Sequence, residues 1–170
     1  MKICLLFGSP HADGATARLV KEYLSRFPDA EVTRFDFYKT PVSPCTGCGG
    51  CKETGTCVFR DMDEVYRVLE ESDRLLIATP VYCLSAPAPL KAALDRLQPY
   101  FERRFSLHQT PIQKRRTASL LLSYGSDKYG GTAHLIETVR MLCTVLNANL
   151  EDIIVKKDNA DGRQKRRPII

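Results

Sequence analysis

The sequence contains no long hydrophobic run. A membrane-spanning helix needs roughly 18 to 20 consecutive apolar residues, and no stretch approaches that length. The apolar run near the N-terminus, residues 3–7, is too short for a signal peptide, and no small-residue cleavage site follows it. We therefore expect a cytoplasmic protein with no membrane partner.

Internal repeats and linker-like segments are also absent, so 170 residues suit a single domain with one core. We assign residues 1–156 to this domain and residues 157–170 to a polar, basic C-terminal tail. The net charge of +5 is concentrated in residues 113–116 and 163–167. No aromatic residues interleave with these basic clusters, and no nucleic-acid motif accompanies them. We therefore expect no nucleic-acid partner.

Short apolar runs alternate with segments of helical periodicity along the chain. The predicted strands are residues 3–7, 31–37, 74–78, 117–122 and 150–155, and the predicted helices are residues 16–27, 61–72, 89–105 and 131–147. Asp61 is expected to cap the second of these helices, with Glu64 three residues further on. This alternation predicts an α/β fold, a doubly wound five-stranded parallel sheet in the order 2-1-3-4-5. Ligands bind such sheets beyond the carboxyl ends of the strands, so the loops at residues 8–15, 79–88 and 123–131 are the candidate site.

The first of these loops suits an anion. Gly8 and Gly14 let the backbone approach a ligand, Ser9 and Thr16 offer hydroxyl groups, and His11 adds a further donor. The start of the following helix supplies free N–H groups. The loop matches neither G-x-G-x-x-G nor the Walker A pattern, and a plain strand-to-helix turn remains the alternative. The acidic cluster of a response-regulator receiver is missing as well, which excludes that class.

Four of the seven cysteines form the most specific motif in the sequence. Cys45, Cys48, Cys51 and Cys57 follow the spacing C-x2-C-x2-C-x5-C within a cysteine-rich loop at residues 44–58. Each iron of a [4Fe–4S] cube takes one thiolate, and four glycines give the loop freedom to wrap around it. Zinc and metal-free thiols remain alternatives, although structural zinc sites usually use two separated C-x2-C pairs.

Three segments of the chain resemble the NADPH-dependent FMN reductase and flavodoxin-2 group, and within it the iron–sulfur flavoproteins. They are the Gly-Ser-Pro loop with Gly14 and Thr16, the cysteine motif of residues 44–57, and the Thr-Pro-Val-Tyr loop at residues 79–82 with the helix after it. Together they cover about the first hundred residues. The chain has His11 and Ala15 where members of the family often have Arg and Asn.

The resemblance implies a flavodoxin-like domain that binds FMN and a [4Fe–4S] cluster. The implied phosphate site is Ser9, His11, Gly14, Ala15 and Thr16; the implied flavin-ring site is Pro80, Val81, Tyr82, Cys83, Leu84 and Ser85, closed by Tyr124, Gly125 and Ser126; the implied cluster ligands are Cys45, Cys48, Cys51 and Cys57. We expect no general acid or base from the protein, because the flavin carries the redox chemistry.

These residues favour an electron-transfer flavoprotein that takes electrons from NAD(P)H or ferredoxin and passes them to an unknown acceptor. A cluster-free NAD(P)H:FMN or quinone reductase is the alternative, and a non-catalytic flavin- or zinc-binding module is a third. We also expect a homo-oligomer, at least a dimer. The apolar, proline-rich residues 81–89 would otherwise be exposed.

Overall fold

Five parallel strands form the central sheet of the computed structural model, which describes residues 1–158. The strands are β1 (Lys2–Phe7), β2 (Glu31–Asp36), β3 (Arg74–Pro80), β4 (Arg116–Tyr124) and β5 (Ala148–Lys157). Their order is β2-β1-β3-β4-β5, and every neighbouring pair is parallel. The predicted order is confirmed. The basic cluster at residues 163–167 lies outside the described residues.

Helices cover both faces of this sheet. They are α1 (Ala15–Leu24), α2 (Gly50–Thr54), α3 (Asp63–Glu71), α4 (Ala88–Asp95), α5 (Gln98–Phe105) and α6 (Gly131–Val145). All seven residues of β3 are buried, as expected for a central strand covered on both sides. Among the described residues, no helix has both the length and the apolarity to cross a membrane.

One predicted helix, residues 89–105, is in fact two. Helix α4 ends at Asp95, and α5 begins at Gln98 with Pro99 in its first turn. Proline lacks an N–H and fits only the first turn of a helix, so Pro99 marks a new start. The break places Arg96 and Leu97 in a short connection between the two helices.

The predicted cysteine loop contains a short helix that the sequence analysis missed. Helix α2 is flanked by Gly49, with φ of 79°, and Gly55, with φ of 70°. Both values lie in the left-handed region, which glycine adopts without a Cβ clash. The chain can therefore form one helical turn here and reverse direction at each of its ends.

The predicted cap of α3 is also wrong. The N-cap residue is Met62, and no side chain caps the helix. The carboxylate of Asp61 instead accepts a hydrogen bond from Ser43 N–H at 2.7 Å and lies 2.8 Å from Arg96. Asp61 therefore ties the cysteine loop to the α4–α5 connection.

Candidate flavin and cysteine sites

The loop between β1 and α1 presents an uncapped helix start. Ser9 is buried, and its hydroxyl accepts a hydrogen bond from His11 N–H at 3.2 Å. Gly14 N–H donates to the His11 carbonyl at 3.3 Å, which folds the loop back toward α1. No side chain caps α1, so the N–H groups of its first turn are available to an anion. This arrangement suits a phosphate or another small anion.

Thr16 lies in the first turn of α1 and is buried. Its hydroxyl oxygen lies 2.7 Å from that of Ser123 at the end of β4. The sequence analysis placed residue 123 at the start of a candidate loop but did not predict this contact, because no local pattern indicates a partner so distant in the sequence. Two of the predicted site residues, His11 and Ala15, are respectively exposed and half-buried.

The loop after β3 is a tight turn with an unfavourable backbone. Tyr82 and Ser85 exchange two backbone hydrogen bonds of 2.9 Å, and the two residues between them have positive φ: 49° at Cys83 and 64° at Leu84. Such two-residue turns normally use Asn-Gly. A non-glycine residue in this region costs about 1–3 kcal/mol, and strain of this kind is typical of ligand-binding loops.

The loop after β4 packs against this turn. Gly131, the first residue of α6 after this loop, lies so close to the turn that a Cβ on it would come within 2.9 Å of Leu84 Cα. The Asp127 carboxylate accepts hydrogen bonds from the hydroxyl and the N–H of Thr132, and these hold the pKa of Asp127 below its usual value. Tyr124, the last residue of β4, is half-buried, and the predicted site residues at positions 125 and 126 in the loop are exposed.

The three predicted loops therefore meet at one edge of the sheet. Val81 N–H donates to the Ser123 carbonyl at 2.9 Å, and Gly8 N–H donates to the Ala78 carbonyl at 2.9 Å. The hydrogen bond from Gly8 joins the loop after β1 to β3. The hydrogen bond from Val81 joins the loop after β3 to β4. The group of residues predicted for FMN is thus gathered by the fold.

The four motif cysteines line one cavity of about 450 Å³. Cys45 and Cys48 are exposed, Cys51 and Cys57 are partly buried, and all four are free thiols. Burial raises the pKa of the Cys51 thiol, and the Glu102 carboxylate raises it further. Another part of the wall comes from the end of α4, the connection that follows it and α5. It consists of Asp95, Arg96, Gln98, Pro99 and Glu102.

The cysteines line this cavity without converging on one point. Within residues 1–158, no three His, Cys, Asp or Glu side chains come together as a ready-made metal site. Four sulfurs bound at about 2.3 Å to one zinc ion would lie roughly 3.8 Å apart. A [4Fe–4S] cube takes one thiolate per iron and spreads its ligands more widely. Four thiols suit either group in number, and in either case the loop would have to draw them together around it.

The remaining cysteines lie elsewhere. Cys4 and Cys143 are buried in the core, and burial raises the pKa of Cys4 to about 12 and that of Cys143 to about 11. Cys83 is exposed in the strained turn and does not line the cysteine cavity. The structure thus separates the four motif thiols from the other three.

Several known proteins with similar sequences are named as iron–sulfur flavoproteins. An iron–sulfur flavoprotein of Archaeoglobus fulgidus is 38% identical over 106 residues, which cover 61% of this chain and 48% of that protein. An iron–sulfur flavoprotein of Methanocaldococcus jannaschii is 30% identical over 142 residues, covering 82% of this chain and 69% of that protein. The chain thus spans about half the length of the first relative and about two thirds of the second.

Solved structures share the fold at low sequence identity. A flavone reductase superposes with a TM-score of 0.69 at 18% identity, covering 95% of this chain and 55% of the other. The NAD(P)H:quinone oxidoreductase from Methanothermobacter marburgensis gives 0.64 at 19% identity, covering 96% and 86%. The family profile for NADPH-dependent FMN reductase matches residues 1–154. This match covers nearly the whole described chain, which therefore belongs to the NADPH-dependent FMN reductase family of flavin-dependent oxidoreductases.

Proposed function

We propose that the protein is an electron-transfer flavoprotein that uses FMN and a [4Fe–4S] cluster. It would take electrons from NAD(P)H or ferredoxin and deliver them to an acceptor whose identity is open. The observation that carries the proposal is the cavity lined by all four motif cysteines. In the same chain, the loops after β1, β3 and β4, which contain the predicted flavin residues, meet at one edge of the sheet. The names of the sequence relatives support the same reading.

The FMN phosphate would be held at the start of α1. The N–H groups of Ala15 and Thr16 lie in the uncapped first turn, and the positive end of the helix dipole favours the anion there. Ser9 and Gly14 shape the loop, and His11 adds a donor from the exposed side. Residues 1–156 would form this FMN-binding domain, which Lys157, the last residue of β5, extends by one residue.

The flavin ring would rest on the strained turn after β3. Tyr82 is 43% exposed and offers an aromatic face, and the turn fixes the direction of its own backbone N–H groups. The residues at this position are Pro80, Val81, Tyr82, Cys83, Leu84 and Ser85, with Tyr124, Gly125 and Ser126 closing the site from the β4 loop. Bound FMN supplies the redox chemistry, and the protein binds and orients it.

The cysteines would hold the cluster as a set of four. We propose Cys45, Cys48, Cys51 and Cys57 as its ligands, one on each iron. The loop leaves β2 at the carboxyl end of the sheet, the same end as the flavin loops. This placement suits exchange of single electrons with FMN within a subunit or across a dimer.

The competing function is a cluster-free NAD(P)H:FMN or quinone reductase. The open arrangement of the thiols favours it, because the described residues contain no ready-made metal site. In that case the cysteines would remain thiols and the flavin would react directly with a two-electron acceptor. A purified protein with flavin absorbance and no iron or sulfide would establish this alternative.

The deciding experiment is anaerobic purification and reconstitution, followed by absorbance spectroscopy and iron, sulfide and zinc analysis. We expect flavin bands with a broad additional shoulder, and about four irons for each set of four cysteines. Changing any one of Cys45, Cys48, Cys51 or Cys57 to serine should cut the iron content sharply while FMN stays bound. Cys83→Ser is the matched control, since this thiol is exposed but lies outside the cavity.

We also propose that the protein forms a homo-oligomer. The expected exposure of the apolar residues 81–89 is present only in part, because Ala86 and Pro87 are buried within their own subunit. Tyr82 and Leu84 remain 43% and 44% exposed in the same loop. A neighbouring copy would cover these side chains and shield the flavin ring from water.

A further inference from the structure

The side chain of Arg96 lies between the two ends of the cysteine loop. Arg96 is 1% exposed, although it sits in the connection between α4 and α5. Its Nη1 donates to the carbonyl of Ser43 at 2.9 Å, and its Nη2 donates to the carbonyl of Phe59 at 3.0 Å. Ser43 comes two residues before Cys45, and Phe59 comes two residues after Cys57. One guanidinium therefore joins the segments that enter and leave the cysteine motif.

Asp61 completes this junction. Its carboxylate lies 2.8 Å from Arg96 Nη2 and accepts a hydrogen bond of 2.7 Å from Ser43 N–H. Burial acts to raise the pKa of Asp61, but the hydrogen bonds from Ser43 and Arg96 outweigh it and keep the pKa below its usual value. The guanidinium also lies over the ring of Phe59, 5.2 Å from its centroid. The base of the loop is thus closed by an ion pair, backbone hydrogen bonds and a cation–π contact.

Arg96 also lines the cavity that the four cysteines share. Among the described residues, it is the only cationic side chain on that wall, where Asp95 and Glu102 are acidic. Its buried Nε has no hydrogen-bond partner in the described part of the chain. The same is true of Arg74 and Arg116, but of these three arginines only Arg96 lines the cysteine cavity. The buried guanidinium, paired with Asp61, is therefore part of the wall of the cysteine cavity and keeps one donor unpaired among the described residues.

We propose that Arg96 is a positioning residue for the cysteine centre. It holds the entering and leaving segments of the loop together, and it keeps a positive charge beside the thiolates that would ligate the cluster. Only the second of these roles rests on the proposed cluster. The first depends on contacts within the protein and is testable without any metal.

The loop-closing role is tested by hydrogen exchange on the full-length protein as purified. Arg96→Gln removes both the charge and the guanidinium group with its two donors. Arg96→Lys keeps the charge but cannot reach the carbonyls of Ser43 and Phe59 at the same time. We expect amides of residues 43–61 to exchange roughly tenfold faster or more in both variants, because charge-assisted hydrogen bonds are lost. Amides of β1 and β3 should keep their protection, which shows that the fold is intact. Unchanged exchange of residues 43–61 in Arg96→Gln would overturn this role.

Arg74→Lys is the matched control. Arg74 is also buried and ion-paired, but its partners Glu151 and Asp152 lie near the amino ends of the strands, far along the sheet from the loop. The same chemical change there should leave exchange in residues 43–61 as in the wild type. If Arg74→Lys accelerates amide exchange in residues 43–61 as much as the Arg96 variants do, the faster exchange reflects general destabilisation and Arg96 has no special role.

The electrostatic role is tested after anaerobic reconstitution. Arg96→Gln should hold less than about half the wild-type iron and sulfide, and the cluster that remains should have a lower midpoint potential, because a nearby positive charge favours the reduced form. Arg96→Lys should keep a potential near that of the wild type, and FMN content should be unchanged in both. Full iron content and an unchanged potential in Arg96→Gln would overturn this role. A wild type that binds no iron would end the proposed cluster and this role together, while the exchange result still decides the loop-closing role.

Discussion

The hydroxyl of Thr16 lies 2.7 Å from that of Ser123, although the two residues are 107 positions apart in the sequence. Both side chains are buried, and their contact joins the first turn of α1 to the end of β4. Thr16 is therefore a packing residue as well as a predicted phosphate residue. A charged substitution there would bury an unpaired carboxylate and damage the fold. The neighbouring Ala15 is half-buried and offers a cleaner test.

Ala15→Glu should weaken FMN binding without destabilising the protein. The new carboxylate would stand beside the phosphate, and two like charges about 4 Å apart repel by about 4 kcal/mol at an effective dielectric constant of 20. Allowing for solvent and side-chain movement, we expect a roughly 10- to 100-fold higher Kd. A glutamate in the first turn of a helix is itself favourable by about 0.3–1 kcal/mol.

Fluorescence titration of FMN measures this effect, with Ala15→Gln as the neutral control of similar size. The glutamine variant should bind FMN much more tightly than the glutamate variant. Equal affinities for the two variants would place the phosphate elsewhere.

Leu84→Gly should stabilise the protein. Leu84 has a φ of 64°, which costs a residue with a Cβ about 1–3 kcal/mol. Part of that gain is lost with the contact between Leu84 and Gly131, so we expect a net gain of about 1 kcal/mol. For a protein of this size, this corresponds to a rise in Tm of about 2–4 °C.

Asn147→Gly is the control for this experiment, since Asn147 has a similar φ of 50°. Its side-chain amide donates to the carbonyls of Ile112 and Gln113, at 3.1 and 3.3 Å. Those hydrogen bonds would be lost, so this variant should gain no stability. Thermal unfolding followed by circular dichroism separates the two, and a lower Tm for Leu84→Gly would show that the strain costs less than the lost contact with Gly131 contributes.

Asp152→Asn should lower stability at neutral pH by about 1.5–3 kcal/mol, because Asp152 accepts charge-assisted hydrogen bonds. Tyr23 donates to its carboxylate at 2.6 Å and Arg74 at 3.2 Å. The bond from Tyr23 is the main cause that lowers the pKa of Asp152 below its usual value of 3.8. The charged Asp152 therefore stabilises the fold fully above the usual pKa, which applies to the unfolded chain. This stabilisation is lost as the pH falls through the lower pKa that Asp152 has in the folded protein.

Denaturant unfolding at a series of pH values tests this expectation. The gap between wild type and Asp152→Asn should be constant above about pH 5 and should narrow below pH 3.8. Asp158→Asn serves as the comparison, because its ion pair with Arg18 is exposed and 3.9 Å long. That variant should differ from wild type by less than about 1 kcal/mol. A gap for Asp152→Asn that stays constant down to pH 3 would contradict the assigned cause.

Light scattering of the FMN-bound protein at micromolar concentration should give a mass of at least twice 19.1 kDa. Tyr82→Glu should reduce that mass toward the monomer, because the charge would enter the proposed contact. Phe101→Glu places the same charge on another apolar face, between α5 and α6, where Phe101 is 39% exposed. A monomeric wild type would refute the oligomer, and dissociation by Phe101→Glu alone would move the interface to that face.

Much of the fold follows from local pattern. Apolar runs ended by Gly-Ser-Pro and Thr-Pro predicted buried strands and the loops that follow them, and both are present at β1 and β3. The cysteine spacing identified four thiols that the structure gathers around one cavity. Pro99 also indicates the start of a helix, because proline fits the first turn, although the sequence analysis placed this residue inside a longer helix.

Strand alternation, turn residues and motif spacing are properties of neighbouring residues, so the sequence by itself determined the α/β class, the strand order and the three candidate loops. Only the tertiary structure decided which distant side chains meet. Arg96 reaches carbonyls 53 and 37 positions away, and Asp61 leaves its expected helix cap to join it. Such contacts depend on how helices pack on the sheet, and burial then selects the partners, because an unpaired buried charge is far more costly than a paired one.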